Sequence, residues 1–109
     1  AEFLRVRIIK MLTGQGFEVF EAENGAKAVE KYKEVRPDVV LMDITMPEMD
    51  GLAALKEIRA FDSQAKVVML TALGQESVVL EAVKSGARDL FVTPWVHDRV
   101  LSAIHKLAG

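Results

Sequence analysis

Three short apolar runs limit what this chain can fold into. They are Val39-Val40-Leu41-Met42, Val67-Val68-Met69-Leu70 and Leu90-Phe91-Val92. None shows the apolar–polar alternation of a half-exposed strand. Each therefore reads as a strand buried on both faces, which is the habit of a parallel sheet. Each run ends on a short polar side chain: Asp43, Thr71 and Thr93. Ligands of open α/β sheets bind beyond the carboxyl ends of the strands. These three residues are thus placed where such folds keep their chemistry, although a carboxylate at a strand end also serves simply to cap a turn.

The segments between the runs carry helical spacing. The chain opens on a helix, with Phe3, Leu4, Ile8, Met11 and Leu12 as its apolar stripe and Gly14 and Gly16 ending it. Phe17-Glu18-Val19-Phe20-Glu21-Ala22 alternates and predicts a fourth strand with one exposed face, at an edge. Asn24-Gly25 turns into a helix over residues 26–35, with Ala28, Val29, Tyr32 and Val35 inward, which Arg36-Pro37-Asp38 breaks. A third helix covers residues 52–61, with Leu52, Leu55 and Ile58 inward. A fourth covers residues 76–85, closed by Gly86. The last runs over residues 96–107 with Val100, Leu101, Ile104 and Leu107. Strands alternating with helices predict right-handed βαβ units. The expected fold is α/β: a doubly wound parallel sheet with four recognisable strands and five helices. A doubly wound domain usually begins with a strand, and this chain begins with the helix that should follow one.

Composition narrows the function classes. With 109 residues, 50% of them hydrophobic and 28% charged, one folded domain is expected over residues 1–109. The net charge of −2, with Lys and Arg spread along the chain, gives no basic field for nucleic acid. There is no cysteine, so no disulfide framework or thiolate site, which is compatible with the cytoplasm. No apolar run approaches the ~20 residues of a membrane span, and no signal peptide opens the chain.

A carboxylate beside hydroxyls suits phosphoryl transfer. The carboxylate is the nucleophile and a hydroxyl donates to the phosphoryl oxygens. Positive charge is also needed, normally from a divalent metal and a basic side chain. The visible oxygen ligands for a metal are Asp43 and the backbone carbonyl of Thr45. Mg²⁺ takes about six oxygens, waters included.

Asp43-Ile44-Thr45-Met46-Pro47-Glu48-Met49-Asp50-Gly51 resembles the phosphoacceptor loop of bacterial response-regulator receiver domains, the CheY-like family. Thr71-Ala72 resembles that family's Ser/Thr-Ala switch position. Gly86-Ala87-Arg88-Asp89 resembles its Gly-Ala turn. Thr93-Pro94-Trp95 sits where the family has Lys-Pro-aromatic, and Asn24-Gly25 with Ala28 resembles the entry to its second helix. The likeness runs the full length. It implies a flavodoxin-like sheet and a signalling module rather than an enzyme with its own substrate. It further implies phosphoryl transfer from a histidine kinase to Asp43, with Mg²⁺ bridging the phosphoryl group and acidic ligands. Thr71 then moves toward the phosphate, and the face formed by the fourth helix, last strand and last helix rearranges to bind a downstream protein target. Ala72, Thr93 and Pro94 are the implied neighbours of the phosphate.

The sequence departs from the family in three places. The family's first strand ends in a metal-holding acidic pair, which would lie immediately before Ala1; the chain thus reads as an N-terminally truncated receiver, with Mg²⁺ binding weakened or lost. Glu2 is the nearest acid there, and a glutamate at a helix start ordinarily complements the dipole. The family's lysine is Thr93, and its switch aromatic is Leu90, with Phe91 adjacent but on the opposite face of the sheet. In the family's strand order, 2-1-3-4-5, the first strand is central. Without it, residues 17–22 would cross to pair with residues 39–42, or two chains would complete each other's sheets by strand addition, giving a homodimer.

Other residues have plainer readings. Trp95 and Val96 suit either an exposed partner patch or packing on the last helix, and the Thr93–Pro94 bond is expected cis, as the matching bond in the family commonly is. His97 and His105 lack nearby ligand-spaced acids or Cys and read as surface residues rather than a metal site. Met46 and Met49 pack the loop. Two further functions compete: a degenerate receiver that binds partners or itself without phosphorylation, and a phosphohydrolase of the haloacid dehalogenase type. The latter wants a second Asp where Thr45 stands.

Overall fold

The computed structural model describes residues 2–43, 51–71, 76–92 and 97–108, and for residues 2–6, 43, 76 and 97 the backbone alone. Its elements in order are α1 (Glu2–Gly14), α2 (Gly25–Val35), β1 (Val40–Asp43), α3 (Gly51–Phe61), β2 (Val67–Thr71), α4 (Glu76–Lys84), β3 (Asp89–Val92) and α5 (His97–Ala108). The three strands form one parallel sheet in the order β1-β2-β3. The architecture is the flavodoxin-like one expected of the sequence.

The sheet buries both faces because successive side chains point to opposite sides. Val40, Met42, Val67, Met69 and Leu90 join Val29, Tyr32, Ala54, Leu55, Ile58 and Ala82 on the side of α2, α3 and α4. Val39, Leu41, Leu70 and Phe91 join Ile8, Leu12, Val100 and Ile104 on the side of α1 and α5. Leu90 and Phe91 thus fall on opposite faces, as their adjacency requires.

One strand of the sequence reading does not form. Residues 17–20 keep the expected alternation, with Phe17 and Val19 packed on the α1–α5 side and Phe20 48% exposed, whereas Glu21 is exposed and Ala22 half-buried. Residues 17–22 belong to no ladder among the described residues, and β1 pairs with β2 alone. The sheet therefore has three strands where four were expected, and the crossing of residues 17–22 onto residues 39–42 does not occur. Alternating burial places an extended segment on a core, but a strand also needs a neighbour offering backbone groups in register.

Local chemistry sets the helix ends. Asn24, in extended backbone, accepts a hydrogen bond on its side chain from the Lys27 N–H at 2.9 Å and caps α2. Gly86 closes α4 with φ +99, the left-handed region that suits glycine. A Cβ there would lie 2.5 Å from Arg59 Nε. That guanidinium is held by donating to the carbonyls of Ser63 and Ala65, the latter at 3.3 Å. Gly86→Ala is expected to cost about 1–3 kcal/mol, from backbone strain and displacement of Arg59, read as a lower urea midpoint with an unchanged slope.

Tyr32 ties α2 to α3. Its hydroxyl donates to Asp62 Oδ2 at 2.8 Å, while Asp62 Oδ1 accepts from the Gln64 N–H at 2.9 Å. Burial, reinforced by the Asp62 bond, pushes the Tyr32 hydroxyl from 10.0 up to about 12. A tyrosine held protonated in the folded state contributes stability below the unfolded value and loses it as pH rises from 10 to about 12. The urea midpoint is expected to fall across that window, and to fall less steeply in Tyr32→Phe. The bond from Tyr32, and then that from Gln64, hold the Asp62 carboxyl below its ordinary value, so its contribution lies above that value and is lost as pH falls.

Candidate functional site

The carboxyl ends of β1, β2 and β3 lie side by side, in the order that the sequence reading required. Asp43 is the last residue of β1 and is register partner of Leu70. Thr71, the last residue of β2, stands one step further along and pairs with Val92 of β3. Neighbouring strands are about 4.8 Å apart and rise about 3.3 Å per residue, so the Cα atoms of Asp43 and Thr71 are roughly 6 Å apart. Thr71 is wholly buried, the one buried polar residue among those described. It shares the parity of Val67 and Met69, which face α2, α3 and α4. Val92, its partner, is 39% exposed.

Leu90 is the register partner of Met69, two ladder steps below the Thr71–Val92 pair and on the same face of the sheet. It packs with Ala82 of α4 in the same cluster. The position that the family likeness singled out for switching is therefore aliphatic and lodged beneath α4. Thr45, Ala72, Thr93, Pro94, Trp95 and Val96 lie outside the described residues. No group of three or more His, Cys, Asp or Glu side chains that would hold a metal ion is gathered among the described residues. No described helix is long and apolar enough to cross a membrane.

Two features escaped sequence reasoning. One is the complete burial of Thr71. The other lies at the opposite end of the sheet, where Lys33 and Arg36 sit 5.5 and 4.9 Å from the centre of the Phe61 ring. Nothing in the local sequence around any of the three signals that contact.

Residues 2–105 match the family model of the response regulator receiver domain. The chain is 58% identical over 107 residues to the chemotaxis protein CheY of Bacillus subtilis, covering 97% of this chain and 89% of that protein. It is 49% identical to CheY of Thermotoga maritima over 99% of this chain and 91% of the relative. Among solved structures it is similar to the CheX–CheY–BeF3–Mg²⁺ complex of Borrelia burgdorferi, with a TM-score of 0.86 and 37% identity over 97% of this chain and 81% of the other. The fold is also that of a CheY-like receiver protein of Methanospirillum hungatei, at a TM-score of 0.91. By the match over nearly its whole length, by these identities and by the sheet just described, the chain belongs to the response-regulator receiver domains of two-component signalling and is of the CheY type.

Proposed function

We propose that Asp43 is the phosphoacceptor of this receiver and that Thr71 is its switch hydroxyl. The observation that carries the reading is the register, which sets the two residues at adjacent strand ends one step apart. A carboxylate oxygen of Asp43 attacks the phosphorus of a phosphohistidine on the partner kinase. The O–P bond forms, the N–P bond breaks, and the imidazole leaves and takes up a proton. The Thr71 hydroxyl then donates to a phosphoryl oxygen.

The switch follows from burial. Thr71 is wholly buried and shares the parity of Met69, whose β3 partner is Leu90, two steps below the Thr71–Val92 pair. Drawing its hydroxyl toward Asp43 would shift a wholly buried side chain, and a close-packed interior answers such a shift by repacking its neighbours. The outer surface of that region exposes Leu80 at 58%, Val83 at 59% and Val92 at 39%. This apolar surface of α4 and β3, with α5, is the proposed seat of the downstream protein target.

Receivers of this type generally bind Mg²⁺ and meet kinases and downstream proteins. Here Asp43 and the Thr45 carbonyl would hold the ion, which supplies positive charge to the phosphoryl oxygens. Mg²⁺ takes about six oxygens, and waters and further acidic side chains would supply the rest. Ala72, Thr93 and Pro94 would border the phosphate. The protein acts as a cytoplasmic signalling module with no substrate of its own and no nucleic-acid partner.

Thr93, where the family has lysine, favours a second reading: a receiver that binds partners without phosphorylation. Self-association belongs to this reading. The Val40 N–H donates to the Lys66 carbonyl of the neighbouring strand segment, so the backbone groups of Leu41 and Asp43 point to the other edge of β1. A second copy pairing there would form a homodimer.

Intact mass after incubation with acetyl phosphate over a Mg²⁺ series separates the readings. Gain of one phosphoryl group, dependent on Mg²⁺, is expected. No gain at any Mg²⁺ level, in a chain shown to be folded, selects the second reading. Sedimentation at micromolar concentration then tests the dimer.

A further inference from the structure

We infer that the end of the sheet opposite Asp43 carries a docking site for an acidic peptide segment of a partner protein, built on Phe61, Lys33 and Arg36. Phe61 ends α3 and is 41% exposed. Its ring meets Tyr32 edge-on, with centroids 6.3 Å apart, and that contact fixes its orientation because Tyr32 is 4% exposed and bonded to Asp62. Lys33 Nζ lies 5.5 Å and Arg36 Cζ 4.9 Å from the Phe61 centroid. Two cations thus converge on one solvent-facing ring.

The charges around them do not cancel that pair. Asp62 is the near carboxylate; the Tyr32 hydroxyl and the Gln64 N–H both donate to it and favour its ionised form, so its single negative charge counts against those of Lys33 and Arg36. It acts on Arg36 at longer range, and Arg59 adds a third positive charge to the same surroundings. Glu34 reaches Lys31, at 3.8 Å. Among the described residues, neither Lys33 nor Arg36 has a carboxylate within ion-pair distance, whereas Lys27, Lys31 and Lys56 each do. The patch therefore holds a local positive excess on a chain of net charge −2.

Arg36 is also held in place at a conformational cost. It caps α2 with φ 50 and ψ 64, the left-handed region, and donates its N–H to the Tyr32 carbonyl at 2.8 Å. Glycine or asparagine relieves that strain at helix ends. With arginine there, the guanidinium is carried onto Phe61 instead. The outcome is a rigid apolar platform flanked by two donors of positive charge. Such a surface complements a segment with carboxylates on either side of an apolar residue, through charge and ring contact together. Helix-end cations also complement the α2 dipole, but that role places no demand on Phe61. The site is remote from the strand ends, so it is independent of the phosphoryl reading.

The test uses the whole ¹⁵N-labelled chain and an acetylated Glu-Glu-Leu-Glu-Glu peptide as probe. Shifts of the backbone amides of residues 32–36 and 59–64 are expected, weakening as salt is raised. K33A/R36A should weaken the binding by about tenfold or more, and K33R/R36K should restore it. Phe61→Leu tests the ring and should weaken it by a smaller factor. Unchanged thermal midpoints show that these surface variants remain folded. Shifts confined to other surfaces, or affinity indifferent to K33A/R36A, would overturn the proposal. So would equal shifts at the patch with inorganic phosphate or a short oligonucleotide, since the site would then select negative charge rather than a peptide.

Discussion

Asp43→Asn is expected to abolish phosphoryl uptake from acetyl phosphate while leaving the fold intact. The amide is close in shape to the carboxylate, and the β1–β2 ladder runs through the backbone, which the change does not alter. What disappears is the anionic oxygen that attacks phosphorus, and an amide supplies no substitute of comparable nucleophilicity. Intact mass should show one added phosphoryl group in the parent chain and none in the variant, with matching circular dichroism. Uptake by Asp43→Asn would mean that another side chain is the acceptor. Thr71→Ala gives the complementary result. It retains Asp43 and should still gain the phosphoryl group, more slowly, for want of one donor to the developing charge. It should also lose about 1–3 kcal/mol of stability, since a wholly buried hydroxyl is removed from its hydrogen-bonding surroundings.

Leu55→Ala should be the most damaging truncation of the interior. Leu55 is wholly buried in the middle of α3, in the cluster formed by Val29, Tyr32, Met42, Ile58, Val67 and Met69. Shortening it discards the transfer free energy of its methyl and methylene groups and leaves a cavity that α3, fixed at its C-terminal end by Arg59 and Asp62, cannot close. The expected cost is about 2–5 kcal/mol, a large part of the 5–15 kcal/mol typical of a domain. Thermal unfolding should fall by roughly 10–20 °C. Leu80→Ala is the control. Leu80 is 58% exposed, so its truncation should move stability by no more than about 0.5 kcal/mol. A small effect at Leu55 would show that α3 is free to settle onto the sheet.

Both results depend on features of different legibility. The place of Asp43 at a strand end could be read from the sequence because a four-residue apolar run and a carboxylate are adjacent in the chain. The inward positions of Val29, Tyr32, Leu55, Ile58, Val100 and Ile104 were equally plain, since helical periodicity repeats within a few residues. So were the Asn24-Gly25 entry to α2 and the Gly86 stop, whose chemistry is complete within one turn.

Phe17-Glu18-Val19-Phe20-Glu21-Ala22 shows where such reading ends. Its pattern correctly gives the side that faces the core, because burial depends on the segment's own alternation. It does not give a strand, because a ladder depends on a second segment lying in register. The same distinction holds for the rest of the molecule. Neighbours in the chain specify the five helices, the three buried strands, the inward faces, the family and the residue types at the strand ends. That Asp43 lies beside Leu70 and Thr71 beside Val92, that Thr71 is wholly buried, and that Lys33 and Arg36 share the ring of Phe61 follow from packing between distant segments. Those facts arise where α2, α3 and α4 close on the sheet, and contacts between segments distant in sequence leave no trace in the periodicity of either one.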